Sequence, residues 1–168
     1  MQTKNFIKFI IIFLVTTIFF GCQDKNIESY NEISKQHKQS IQQSFVELNN
    51  TITFYNNKEY TKAKQSAQQC QKLFTETKDI SQEAKNIAQN LKGKEWLVDY
   101  KDYSIQSEDL RIKQCQLLYN VSITTENKEN EKSQKIINEI STLNDQYNKL
   151  QITLEDIKAQ HPESFQNQ

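Results

Sequence analysis

Beyond residue 22 the chain holds one glycine, Gly93, and one proline, Pro162. Sheets, tight turns and catalytic loops draw on glycine for positive φ and on proline for fixed φ, so a chain this poor in both is confined to long helices. The apolar periodicity agrees. Residues 27, 30, 33, 41, 45, 48, 52 and 55 are apolar or aromatic and step mostly by three and four, which marks one face of a helix over about 27–55 that ends at Asn56-Asn57. A second stripe runs Tyr60, Ala63, Ala67, Cys70, Phe74, Thr77, Ser81, Ala84, Ala88 and Leu91 without a slip. It predicts a helix over about 58–92 with a seam of small residues that lets a neighbour approach closely.

Gly93, between Lys92 and Lys94, has the pattern of a helix C-terminus and predicts a sharp reversal. A third helix is expected over about 95–122. Trp96, Tyr100, Tyr103, Leu110, Leu117 and Val121 form its face, Ser107 and Gln114 interrupt it, and Ile112, Cys115 and Leu118 lie beside it. Residues 124–131 are polar and read as a loop. The fourth helix, about 131–160, has seven consecutive apolar seam positions: Ile136, Ile140, Leu143, Tyr147, Leu150, Leu154 and Ile157. Such a stripe calls for burial against other helices or a second copy of the chain. Pro162 stops it and 161–168 is a polar tail. Four helices of about 45 Å joined by short connections predict an all-α, antiparallel, up-down-up-down four-helix bundle of coiled-coil character spanning 27–160. A three-helix bundle with a looser first helix is the alternative.

The N-terminus addresses location. Lys4 and Lys8 precede an apolar run from Phe9 to Phe20, closed by Gly21-Cys22. Charged start, apolar middle and a small residue before the cut are the layout of an export signal. The Gly21-Cys22 ending resembles the lipobox of prokaryotic lipoproteins. That resemblance, confined to residues 1–22, implies that 1–21 is a signal peptide, that Cys22 becomes the lipid-bearing N-terminus, and that 22–26 tethers the bundle to an extracytoplasmic membrane face. Phe19 stands where the family usually has Leu, and a retained transmembrane anchor is the other reading. Without Lys4 and Lys8 the exported part has 19 basic and 21 acidic residues, a net charge of −2, which offers nucleic acid no attraction.

Catalytic signatures are absent from the sequence. The only histidines, His37 and His161, follow Ser34 and Lys158 by three positions, so the Glu-x-x-His pairs of di-iron bundles are missing. No phosphate-binding Gly-rich loop, Cys-x-x-Cys or Gly-x-Ser-x-Gly occurs. Asp99, Asp102, Glu108 and Asp109 cluster on the third helix and read as a solvated face. No catalysis, cofactor or metal is expected. The expected role is a helical interaction or structural module of the cell envelope. The alternative is a small-ligand receptor or enzyme with a cavity between helices, recognisable by a pocket lined with several polar groups.

Two surfaces and one bond are expected. A protein or other envelope partner is placed at the end of the bundle remote from the tether, at Phe54, Tyr55, Tyr60, Tyr119, Lys128 and Glu129, where polar turns adjoin amphipathic aromatics. The alternative is that these aromatics plug the bundle end. Self-association is assigned to the last helix. With Cys22 lipidated, Cys70 and Cys115 remain, 23 residues before and 22 after Gly93. An antiparallel hairpin brings both to one height and predicts a Cys70–Cys115 disulfide, two buried thiols being the alternative.

Overall fold

The computed structural model describes the backbone of residues 3–165 and the side chains of residues 25–165. The signal segment and Cys22 lie outside the described side chains. Four helices follow one another: α1 (Thr3–Asn56), α2 (Tyr60–Ala88), α3 (Trp96–Glu126) and α4 (Asn130–Gln160). No strand occurs among the described residues, and successive helices pack side by side as a four-helix bundle. Among residues 25–165 no helical stretch is long and apolar enough to cross a membrane.

Two of the three reversals are built alike. At Asn57-Lys58-Glu59 and Asn127-Lys128-Glu129 the lysine has φ of +62°. The Glu59 amide donates to Phe54 O at 2.9 Å and the Glu129 amide to Thr124 O at 2.8 Å. Each glutamate also pairs with the lysine three residues on, Lys62 or Lys132. The left-handed residue closes the last carbonyls of one helix and turns the chain into the next. The expected loop over 124–131 therefore shrinks to 127–129. Polarity misled there: Ser133 Oγ donates to Thr124 Oγ1 at 2.9 Å, and hydroxyls satisfied in this way are compatible with helix. The third reversal contains Gly93 at φ +73°, and α2 ends at Ala88, four residues before the expected 92.

Packing divides into two apolar clusters. The one nearer the Asn57 and Asn127 turns holds Leu48, Ala67, Cys70, Phe74, Cys115, Leu118 and Val121, and side chains from both α1 and α4 pack on it. The one at the Gly93 end holds Tyr30, Ile33, Ala84, Ala88, Leu91 and Leu97, with no contribution from α4. The α2 seam is buried as the stripe predicts, from Ala63 to Ala88, including Thr77 and Ser81. Hydroxyls sew it to α1: Thr51 to Ser66 at 2.9 Å, Ser44 to Thr77 at 3.0 Å and Ser40 to Thr77 at 2.6 Å. Cys70 and Cys115, both fully buried, form a disulfide between α2 and α3 with Cα atoms 5.9 Å apart.

The expected α4 face is the packed one but only partly covered, and on α3 a second stripe is buried beside the expected one, whose Leu117 and Val121 are also buried. Of the seven apolar seam positions on α4, only Leu143 and Leu154 are buried, and Ile152 beside the seam is 63% exposed. The reason is topological: the backbone of α4 approaches α3 and not α1, which it reaches only through side chains such as Tyr147 against Phe45. On α3 the buried seam is Leu97, Lys101, Ser104, Glu108, Arg111, Cys115, Leu118 and Ser122, in strict 4-3 alternation. Tyr100, Tyr103 and Leu110 of the expected face are half-buried. α3 is central, so partners on two sides cover more than one stripe, and the charged residues in the second stripe hide it from an apolar pattern.

Candidate functional site

Where α4 stands off α1, a cleft of about 470 Å³ opens over α3. Ser34, His37 and Phe45 of α1 and Tyr147, Leu154 and Lys158 of α4 form its walls. Tyr100, Lys101, Ser104 and Glu108 of α3 form its floor. On each wall the lining spans twelve residues, Ser34 to Phe45 and Tyr147 to Lys158, about 16 Å of helix. Toward the Asn57 end it is closed by Phe45 and Tyr147, whose rings meet edge-on at 6.1 Å. Arg111 lies beneath them with its guanidinium carbon 3.5 Å from the Tyr147 ring centroid, and its Nη1 donates to Asn144 Oδ1 at 2.7 Å and to Gln114 Oε1. At the Gly93 end the chain after α4 folds back through a short turn, Pro162–Ser164. Phe165 packs on Tyr100 at 5.1 Å and on Trp96 at 5.5 Å, while His161 stacks flat on Trp96 at 4.1 Å. The expected polar tail is therefore, up to Phe165, an end wall, and Trp96 is occupied within the fold.

Two unlike charges sit in the floor. Glu108 is 1% exposed, against the expectation of a solvated face. His37 Nε2 lies 2.6 Å from its Oε1, and Ser81 Oγ donates to the same oxygen at 2.8 Å, while Oε2 has no partner. Asp102 and Asp109 point away instead and pair with Lys85 and Lys78 of α2 at 2.6 and 2.7 Å. Lys101 is 2% exposed, and no carboxylate among the described residues comes within 4.0 Å of its ammonium. It lies over two aromatic faces, with Nζ 5.8 Å from the Tyr30 ring centroid and 5.5 Å from that of Tyr100. Burial depresses the Lys101 ammonium to about 8, Glu108 pulling it partly back and Lys158 pushing it further down. Burial also pushes the Tyr100 phenol up to about 12.

Ser81 bonds to Glu108 and His37 bonds to the same carboxylate oxygen, so no hydroxyl is paired with a histidine base. No group of three metal-ligating residues occurs among the described residues. A small cavity of mixed aromatic and charged lining is instead the usual form of a small-molecule site.

The residues expected at the opposite end are not part of the cleft. Phe54, Tyr55, Tyr60 and Tyr119 are half-buried, Lys128 is exposed and Glu129 half-buried. Tyr55 packs on Tyr60 at 5.9 Å and its hydroxyl lies 3.1 Å from Thr125 Oγ1, which ties the two hairpin ends together. Sequence reasoning misses Lys101 and Arg111 and puts Glu108 on a solvated face. Stepping back from Cys115 and Leu118 by 4-3-4-3 passes through all three, a signal that an apolar filter discards. The chain matches no protein-family model, no curated protein and no solved structure.

Proposed function

We propose that this protein is an exported, membrane-tethered helical module of the cell envelope that acts by binding a small molecule in the cleft between α1 and α4. The observation that carries the binding role is Lys101, an ammonium buried in a cleft floor without a carboxylate in contact. A spacer gains nothing from such a group, because a buried cation costs stability that an apolar residue of the same length does not. The export signal and the Gly21-Cys22 ending support the tether. A thermal-shift screen of the full-length protein in neutral detergent, across small acids, amines, zwitterions and neutral aromatics, tests the cleft. A hit whose stabilisation disappears in Gln151→Trp, which fills the cleft, supports the reading. No hit from any class overturns it. Intact-mass analysis tests the tether: a chain beginning at Cys22 with a diacylglyceryl addition is expected, and an unprocessed chain beginning at Met1 counts against it.

A further inference from the structure

The cleft floor holds one acid and one base on the same helix, and they are not paired with each other. Lys101 and Glu108 are seven residues apart, so their backbones stand about 10 Å apart along α3 on one face. Their charged ends are not in contact within 4.0 Å. Lys101 lacks a carboxylate partner, and Glu108, fully enclosed, leaves Oε2 without a hydrogen bond. Two buried groups of opposite charge lining one cavity, one without a carboxylate in contact and the other with an unpartnered oxygen, are complementary to a molecule that carries both signs. The space between them is walled by Tyr100, Tyr147, Phe45 and Leu154, which suits an apolar or methylene body and, near the ring faces, a cationic group. Lys158, held by Glu155 at 2.7 Å, adds positive potential at the Lys101 end. His37 and Ser81 hold the Glu108 carboxylate in place from α1 and α2.

Building on the binding role above, we propose that the cleft selects a small zwitterion, its acid group on Lys101 and its amino group on Glu108 Oε2. The ligand class is that of free amino acids and ω-amino acids. A simple anion leaves Glu108 Oε2 without a donor, and a simple amine leaves Lys101 without a carboxylate in contact.

Calorimetric titration of the full-length protein in neutral detergent tests this with ω-amino acids of three to eight carbons and phenylalanine. The matching alkanoates, alkylamines and primary alcohols serve as half-ligand and neutral controls. At least one zwitterion is expected to bind tenfold or more tightly than both of its half-ligands. Lys101→Met is expected to abolish the advantage over the amine, and Glu108→Gln the advantage over the acid. Half-ligands or alcohols that bind as tightly as the zwitterions, with binding lost in Gln151→Trp, overturn the zwitterion assignment while leaving the cleft as a binding site. No zwitterion binding at millimolar concentration also overturns it, whatever the wider screen finds. The comparison within wild-type protein stands even if a variant fails to fold.

Discussion

Lys101 has a measurable signature in stability. The unfolded chain keeps this proton up to about pH 10.5, whereas the folded chain releases it near 8. Between those values the unfolded state binds more protons, so stability rises with pH. Glu108, Lys158, Tyr30 and Tyr100 are the titratable groups that surround it. The tyrosines act in the opposite sense at higher pH. Burial holds Tyr100 up to about 12 and Tyr30 higher still, so above about pH 10 the folded state retains phenolic protons that the unfolded chain loses, and stability falls. Urea titrations from pH 6 to 11 are therefore expected to show a maximum near pH 10. Lys101→Met should gain about 2 kcal/mol at pH 7, flatten the rise between 8 and 10 and leave the alkaline fall in place. Glu108→Ala should do the reverse at pH 7, losing about 3 kcal/mol, because Ser81 and His37 lose their common acceptor and Lys101 loses its nearest compensating charge.

The elements were legible in the sequence to different degrees, for a physical reason in each case. α2 lies between α1 and α3 and buries a stripe of small and apolar residues, so its period is plain in the letters. α3 also lies between two partners, and hydropathy marks only one of its two covered stripes, because Lys101, Glu108 and Arg111 occupy the other. α4 has the most regular stripe and the poorest coverage, because burial depends on where neighbours stand and not on the regularity of the pattern. The turns yield a further prediction. Lys58 and Lys128 sit at φ +62°, a conformation that costs a residue with a Cβ about 1–2 kcal/mol. Lys58→Gly and Lys128→Gly should each stabilise by about 0.5 kcal/mol after the added entropy of the unfolded chain is deducted. Gly93→Ala should cost about 1 kcal/mol by equilibrium unfolding. A Cβ there meets nothing within 4 Å, so the loss arises from the +73° φ alone.

At the scale of the molecule, the disulfide carries the test of how the hairpins are held. It closes a span of 45 residues between α2 and α3, the two central helices, for which loop entropy gives about 4 kcal/mol. Cys70→Ala combined with Cys115→Ala should lower the unfolding free energy by that order, and alkylation of unreduced protein should leave both positions unlabelled. The position of this bond could be read from residue numbers, since a reversal at Gly93 puts Cys70 and Cys115 at one height whatever the side chains around them do. Helix content, the number of helices and their antiparallel order were likewise determined by the sequence alone, because they rest on local properties: the scarcity of glycine and proline, the 3–4 periodicity and short connections. The tertiary structure alone decided that α4 would lie close along α3 and stand off α1, and therefore that a cleft would open. It also decided that one of four neighbouring acids, Glu108, would turn inward with Lys101 while Asp102 and Asp109 paired outward. Such choices depend on the relative rotation and spacing of whole helices, set by all their contacts together, and no window of the sequence contains that information.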